Sequence, residues 1–261
     1  PAALASGGRK STAGGWCWGW VGNRSESCHL EGKEITLMRD RPFQAGRRQI
    51  QMVFQDPYPS LNPRLTVGFS IAEPLLLHGL KKSLADATPA VNRLLKSVGL
   101  EPSHARRYPH EFSGGQRQRI AIARAMALQP QVIIADEAVS ALDVSIQAQV
   151  VNLMMDLQRD TGVAWLFISH DMAVVERIAN RVAVMYSGQI VEIGPRDAVF
   201  GDPQHSYTKR LLSSVPVADP TQRALRHFDD VEVKSPVHPA GVQIKKLKYS
   251  RVSEHHWVAQ G

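Results

Sequence analysis

An α/β fold with a mostly parallel sheet is the fold class this sequence predicts, and two patterns carry the prediction. Short apolar runs recur at residues 131–135 (QVIIA) and 163–168 (VAWLFI), the form taken by strands buried on both faces. Between and after them lie longer stretches whose apolar residues fall three and four apart, the period of helices with one buried face. Strand and helix in alternation favour a sheet of parallel strands joined by crossover helices.

Composition sets outer limits. The 261 residues suit one large domain or two small ones, and 43 % hydrophobic content is enough for a packed core, which excludes a disordered chain. The net charge of +7 is compatible with nucleic acid, a membrane surface or anionic ligands. Apart from small clusters such as Arg47-Arg48 and Lys245-Lys246 the basic residues are dispersed, with no basic stripe interleaved with aromatics, so no nucleic-acid partner is expected. No run approaches the roughly 18–20 apolar residues of a membrane-spanning helix. No secretory leader pattern is visible, so a cytoplasmic location is expected. Cys17 and Cys28 lack metal-ligand spacing and are expected to be free thiols.

The elements follow in order. Residues 1–31, rich in Gly, Ser and Trp, show no clean period. Residues 49–54 (QIQMVF) predict a strand, and the three prolines of DPYPSLNPR make 56–64 a loop. Helical spacing covers 68–80 and 86–98; Pro102 and Pro109 mark a loop. Ser113 is a natural N-cap for a helix running to about Leu128. The strand at 131–135 delivers Asp136 and Glu137 at its carboxyl end, a helix spans 144–160, and the strand at 163–168 leads to Ser169, His170 and Asp171. A helix at 172–179 precedes strands at 181–186 and 189–193 joined by a Ser187-Gly188 turn, and a short helix covers 206–213. Most of residues 217–261, Pro- and charge-rich, is expected to form a weakly ordered tail.

Several residues here suit phosphate chemistry. Ser113, Gly114, Gly115 and Gln116 open a helix, where free N–H groups and missing Cβ atoms favour an anion. An acid at the end of a buried strand, as Asp136 is placed, can hold Mg²⁺ through water. A second acid beside it, Glu137, can orient and activate an attacking water. His170 after the next strand can meet a γ-phosphate or that water, and Gln55 after the 49–54 strand can reach the metal or the water. Singly these are weak signals; their order and spacing are not.

FSGGQRQRIAIARAMA, then VIIADEAVSALD, then LFISHD, closely resembles the ABC ATPase family over about residues 33–215. The resemblance implies a RecA-like P-loop NTPase core with an inserted α-helical subdomain, the ABC nucleotide-binding domain. The core would cover about 1–56 and 127–200, the helical subdomain about 57–126, and a C-terminal extension and tail 201–261. It implies that Ser113, Gly114, Gly115 and Gln116 grip the γ-phosphate of ATP held by a second such domain, in a head-to-tail dimer. Asp136 then resembles the Mg²⁺ acid, Glu137 the general base, Ser140 to Asp143 the D-loop at the dimer interface, His170 the switch residue, and Gln55 the glutamine that senses Mg²⁺. FQDPYPSLNPR and PQHSYTKRLLSSVP are similar to oligopeptide and dipeptide importer ATPases. Ala138-Val139 after Glu137, with the stretch LFISHDMAVVERIANRVAVMYSGQIVEIGP, resembles the second half of glutathione-import ATPases. Such proteins drive peptide import through transmembrane permease subunits, served indirectly by a periplasmic substrate-binding protein, from the cytoplasmic face of the inner membrane. A degenerate domain without its own ATPase activity and a soluble ABC ATPase without a transport role are the alternatives.

The resemblance fails near the start. A phosphate loop reads G-x-x-x-x-G-K-[ST]. Lys10, Ser11 and Thr12 fit its end, Ser11 as a Mg²⁺ ligand, and Gly7 and Gly8 lie within it, yet Leu4 and Arg9 stand where its glycines belong. Residues 13–28, with three of the five tryptophans, occupy the place of an Ala- and Leu-rich helix at the right length, which points to a reading-frame slip in the coding DNA. The strands that precede the loop in the family, with their adenine-stacking aromatic, are expected to be missing, as in a fragment of a longer protein.

Overall fold

The computed structural model describes residues 2–5, 29–30, 32–34, 48–56, 60–214 and 247–260. They fall into two compact units, one drawn from Lys10–Ile168 and one from Ala2–Arg9 with Ser169–Gly261.

The first unit is built on three parallel strands, β4 (Ile50–Val53), β5 (Val132–Asp136) and β6 (Ala164–Ser169). β5 is central: Val53 pairs with Ala135, and Asp136 with Ile168. Ile133, Ile134, Ala135, Phe167 and Ile168 are all at most 1 % exposed, so the apolar runs do mark strands covered on both faces. A two-residue hairpin, β2 (His29–Leu30) with β3 (Lys33–Glu34), also lies in this stretch.

Between β4 and β5 the chain forms a helical cluster: α1 (Val67–Leu77), α2 (Leu84–Ser97) and α3 (Gly114–Met126). Each has a side-chain N-cap, Thr66, Ser83 and Ser113. α1 stops at Leu77 rather than at 80 because Gly79, at φ +67°, turns the chain and lets Leu80 donate to the Leu75 carbonyl. The Pro102 and Pro109 loops are single 3₁₀ turns, Pro102–Arg106 and Pro109–Glu111, each with its proline at the first position. α4 (Val144–Thr161) then returns the chain to β6.

In the second unit, β1 (Ala2–Ala5) runs parallel to β7 (Arg181–Tyr186), and β7 pairs antiparallel with β8 (Gln189–Pro195). Ser187 and Gly188 both have positive φ, as a two-residue hairpin turn requires. α5 (Met172–Ile178), α6 (Arg196–Gly201) and α7 (Ser206–Ser213) complete the helices.

Two expectations are corrected here. The stretch 1–31 contains β1 and β2, which no local period announced; β1 forms against a strand almost 180 residues away in sequence. The sequence predicts no element at the end of the tail, yet β9 (Lys248–Ser253) and β10 (His256–Gln260) form a hairpin there, and β10 pairs antiparallel with β8. Of the expected tail, residues 217–246 lie outside the described residues, as do residues 13–28.

A buried carboxylate ties β10 and α7 to β8. Glu192 is fully buried in β8; its Oε1 accepts from Gln204 N at 2.9 Å and from His256 Nε2 at 2.8 Å, and its Oε2 from His205 N at 3.0 Å. The fully buried Thr208 hydroxyl lies beside it without a well-aligned hydrogen bond. Burial alone would raise the Glu192 pKa, but the nearby Thr208 hydroxyl and the donors from Gln204, His205 and His256 outweigh it and hold the carboxyl below its ordinary value. Burial lowers the pKa of His205, against the opposing Glu192 charge, and its Nδ1 accepts from Tyr207 N at 3.1 Å to cap α7.

Both groups bind fewer protons folded than unfolded, so their stabilisation is present at neutral pH and is lost on acidification. The loss should begin below about pH 6.5 through His205 and continue below about pH 4.5 through Glu192. Urea unfolding between pH 7.5 and 3.5 should show this fall, and Glu192→Gln should flatten its lower part. At neutral pH Glu192→Ala should destabilise the protein by about 1–3 kcal/mol for each buried donor it leaves without an acceptor.

Candidate functional site

The carboxyl edge of β4, β5 and β6 gathers the first group of residues. Because the strands are parallel and in register, Gln55, two residues beyond β4, and Asp136, the last residue of β5, leave the sheet on the same side. Ligands of open α/β sheets bind at such an edge. Asp136 is 8 % exposed and Gln55 is exposed.

Glu137 adopts φ +48°, the left-handed region, in which a residue with a Cβ costs roughly 1–3 kcal/mol. Its N–H donates to the Ile168 carbonyl at 2.9 Å, and its own carbonyl accepts from Ser140 N at 3.1 Å and Ser140 Oγ at 2.9 Å. Ala138 and Val139, each 1 % exposed, anchor the turn. Two neighbours on the chain therefore differ in setting: Asp136 is sunk at a strand end, while Glu137 is half-buried on a fixed turn.

The amino end of α3 forms the second group. Ser113 Oγ accepts from Gln116 N at 3.3 Å and Gln116 Oε1 accepts from Ser113 N at 3.0 Å, a reciprocal cap. Ser113 and Gly114 are exposed and Gly115 is buried. A Cβ on Gly114 would stand 3.6 Å from Leu142 Cδ2, and one on Gly115 would collide with Ile146 Cγ2. The glycines thus bring the α3 end against the turn and first helical turn after Ser140. Asp143 begins α4 without a side-chain cap bond and is exposed, as is Val144, at 82 %.

His170 belongs to the second unit, where it is exposed. Beside it Ser169 Oγ accepts from Asp171 N at 3.0 Å, and Asp171 Oδ1 caps α5 through Ala173 N and Val174 N. Gly7, Gly8, Lys10, Ser11 and Thr12, with Arg9, lie outside the described residues; Leu4 falls within β1.

The donor chemistry fits the ligands expected. Mg²⁺ takes hard oxygen donors and needs only one or two carboxylates when phosphate and water supply the rest; Asp136 is such a donor. Among the described residues no group of three or more His, Cys, Asp or Glu gathers to hold a metal alone. Free N–H groups and a missing Cβ at exposed Gly114 suit an anionic oxygen.

Sequence reasoning passed over the arginines of α3. Arg117 Nε donates to the Pro109 carbonyl at 2.8 Å. Arg119 donates to the Val98 carbonyl at 3.0 Å and to Gln149 Oε1 at 3.2 Å. Arg124 donates to the Ser60 carbonyl at 2.5 Å. The QRQRIAIAR run is therefore a set of clamps. Its helical spacing was legible, but the clamps' carbonyl partners carry no side-chain signal. Glu192 was also missed; a lone acid within an apolar strand was its only sign.

A family model described as ABC transporter matches residues 6–140. The chain belongs to the ABC transporter family. A second model, for the oligopeptide/dipeptide transporter C-terminal region, matches residues 191–239 of this ABC protein. The chain is 57 % identical, over 97 % of its length, to the glutathione import ATP-binding protein GsiA of Pectobacterium atrosepticum. It is 57 % identical, over 98 % of its length, to the protein of that name from Escherichia coli K12. In each case it spans 41 % of the relative. Among solved structures it is similar to cbiO1 from Clostridium perfringens, part of the ABC transporter complex cbiONQ. The TM-score is 0.69 at 26 % identity, covering 77 % of this chain and 79 % of that one.

The close approach at Gly115 has a measurable consequence. Gly115→Ala should destabilise the protein by roughly 1–3 kcal/mol through overpacking against Ile146. Ile146→Ala removes the obstructing Cγ2, so in a double-mutant cycle by chemical denaturation the loss in the double mutant should fall short of the sum of the two single losses. Additive losses would mean that the helices do not meet at this point.

Proposed function

We propose that this ABC protein binds and hydrolyses ATP and that hydrolysis powers import of small peptides, with glutathione as the leading substrate, through a membrane permease. The single observation that carries the hydrolytic part is the pair Asp136 and Glu137 at the carboxyl end of a buried parallel strand, with Glu137 held in a left-handed turn. The substrate class rests on the names of the GsiA relatives and on the oligopeptide/dipeptide-type C-terminal region.

In this reading MgATP supplies the γ-phosphoryl group to be transferred. Asp136 holds the metal with Ser11 and Gln55. Glu137 accepts a proton from water and aims it in line, while Lys10 and His170 offset charge on the phosphoryl oxygens. Gly7, Gly8 and Thr12 line the phosphate cradle. Ser113, Gly114, Gly115 and Gln116 serve the nucleotide of a second ABC domain, and Asp143 lies at the seam between the two. The exposure of Ser113, Gly114, Asp143 and Val144 supports that seam.

The domain division is proposed on the same footing: a core of about residues 1–56 and 127–200, a helical subdomain of about 57–126, and an extension from 201. Residues 56–64 and the adjacent helices face the cytoplasmic loops of the permease. Support comes from a groove of about 710 Å³ in the helical cluster, with Phe69, Leu84, Val91 and Arg106 in its lining. Among the described residues no helix is long and apolar enough to cross a membrane. The proposed place is the cytoplasmic face of the inner membrane, with a periplasmic binding protein acting indirectly.

Glu137→Gln should retain MgATP binding while turnover in the assembled transporter falls by about 10²–10⁴, the range for losing a general base. Unchanged turnover would remove Glu137 from its role. Titration calorimetry with MgATP, with Lys10→Ala as control, tests the phosphate loop: binding that disappears in the control is expected. A folded protein that binds no MgATP would sink the ATPase reading.

A further inference from the structure

The third arginine of α3 holds a different partner from the other two. Arg117 grips the Pro109 carbonyl in the turn just before α3, and Arg119 grips the Val98 carbonyl at the end of α2. Arg124 instead reaches Ser60, five residues after Gln55 and 64 residues away in sequence. Its other nitrogen lies 3.9 Å from Glu73 Oε2 in α1. Leu61, next to Ser60, is 1 % exposed, so this pair of residues is pinned to the core by Leu61 and to α3 by the Ser60 carbonyl.

The placement along α3 matters. Ser113 caps one end, and Arg124 sits in the last turn of the 13-residue helix. At 1.5 Å per residue the rod is about 20 Å long. A hydrogen-bonded helix is stiff over that span, so a shift at Ser113 is delivered to Ser60 only if something grips Ser60 at the far end. Arg124 is that grip. Its ion pair with Glu73 is more than a third exposed on both sides, so it adds little stability. The guanidinium-to-carbonyl bond is charge-assisted and directional, which suits it to fixing a position.

We propose that Arg124 is a positioning residue that locks Ser60, five residues after Gln55, to the helix opened by Ser113, so that the two move together when nucleotide engages that helix. The inference rests on the proposed function and goes beyond it by assigning the coupling to one side chain.

The test uses the full-length protein assembled with its permease in lipid nanodiscs, with glutathione as the transported probe in matching proteoliposomes. Arg124→Met keeps the apolar stem and removes the donors. It should leave the melting midpoint, MgATP affinity and unstimulated hydrolysis close to wild type while lowering permease-stimulated hydrolysis and uptake by about tenfold. Arg124→Lys, with one donor left, should recover part of the stimulation. Glu73→Gln should behave as wild type, since the Ser60 carbonyl carries the effect. Wild-type stimulation in Arg124→Met overturns the inference alone. A parallel fall in melting midpoint, MgATP affinity and rate also overturns it, by showing a purely structural residue. A wild-type assembly that binds but never hydrolyses MgATP overturns the proposed function and the inference with it.

Discussion

β5 has a parallel strand on each side and apolar cover on both faces, and the first unit is positioned from it. Its register with β4 brings Gln55 out on the same edge as Asp136. Its register with β6 sets Asp136 opposite Ile168, whose carbonyl then takes the Glu137 N–H. With the two bonds from Ser140 to the Glu137 carbonyl, that bond holds the chain in the left-handed turn and separates the settings of two adjacent acids. A polar residue at Ile133, Ile134 or Ala135 would bury an unpaired group, and the edge would lose its common register.

The helical cluster depends on contacts of another kind. α3 buries Ile120, Ile122, Ala123 and Met126, yet its arginines decide what lies next to it. Each guanidinium donates to backbone carbonyls, so each fixes a stretch of main chain irrespective of the side chains there. Gln118, 1 % exposed on the same helix, runs against this economy: neither end of its amide finds a hydrogen-bond partner among the described residues. Such a group is costly by roughly 1–3 kcal/mol, and nothing in the structure offsets it.

Much of this was legible in the sequence, for physical reasons that can be named. The strands at 132–136 and 164–169 announce themselves because two-sided burial leaves no room for polar residues. The α3 start is legible because Ser113 before two glycines is a cap with a mechanism. What escaped was non-local. β1 is four residues of Ala and Leu whose strand pairs with Arg181–Val184. β10 has a period blurred by His255-His256 and a bulge beside His256, and it is recruited by β8, more than 60 residues upstream. The left-handed Glu137 could not be read either, since nothing in DEA requires positive φ; the Ile168 carbonyl does.

The knot at Glu192 also sets an order of events during synthesis. His256 is joined 64 residues after Glu192. At about 5–20 residues per second, roughly 3–13 s separate the two on the ribosome. Through that interval β8 can pair with β7 and receive the N–H groups of Gln204 and His205, while the imidazole that completes the cluster does not yet exist. The nascent strand waits with an open edge and a half-satisfied acid, and only the late hairpin closes both at once.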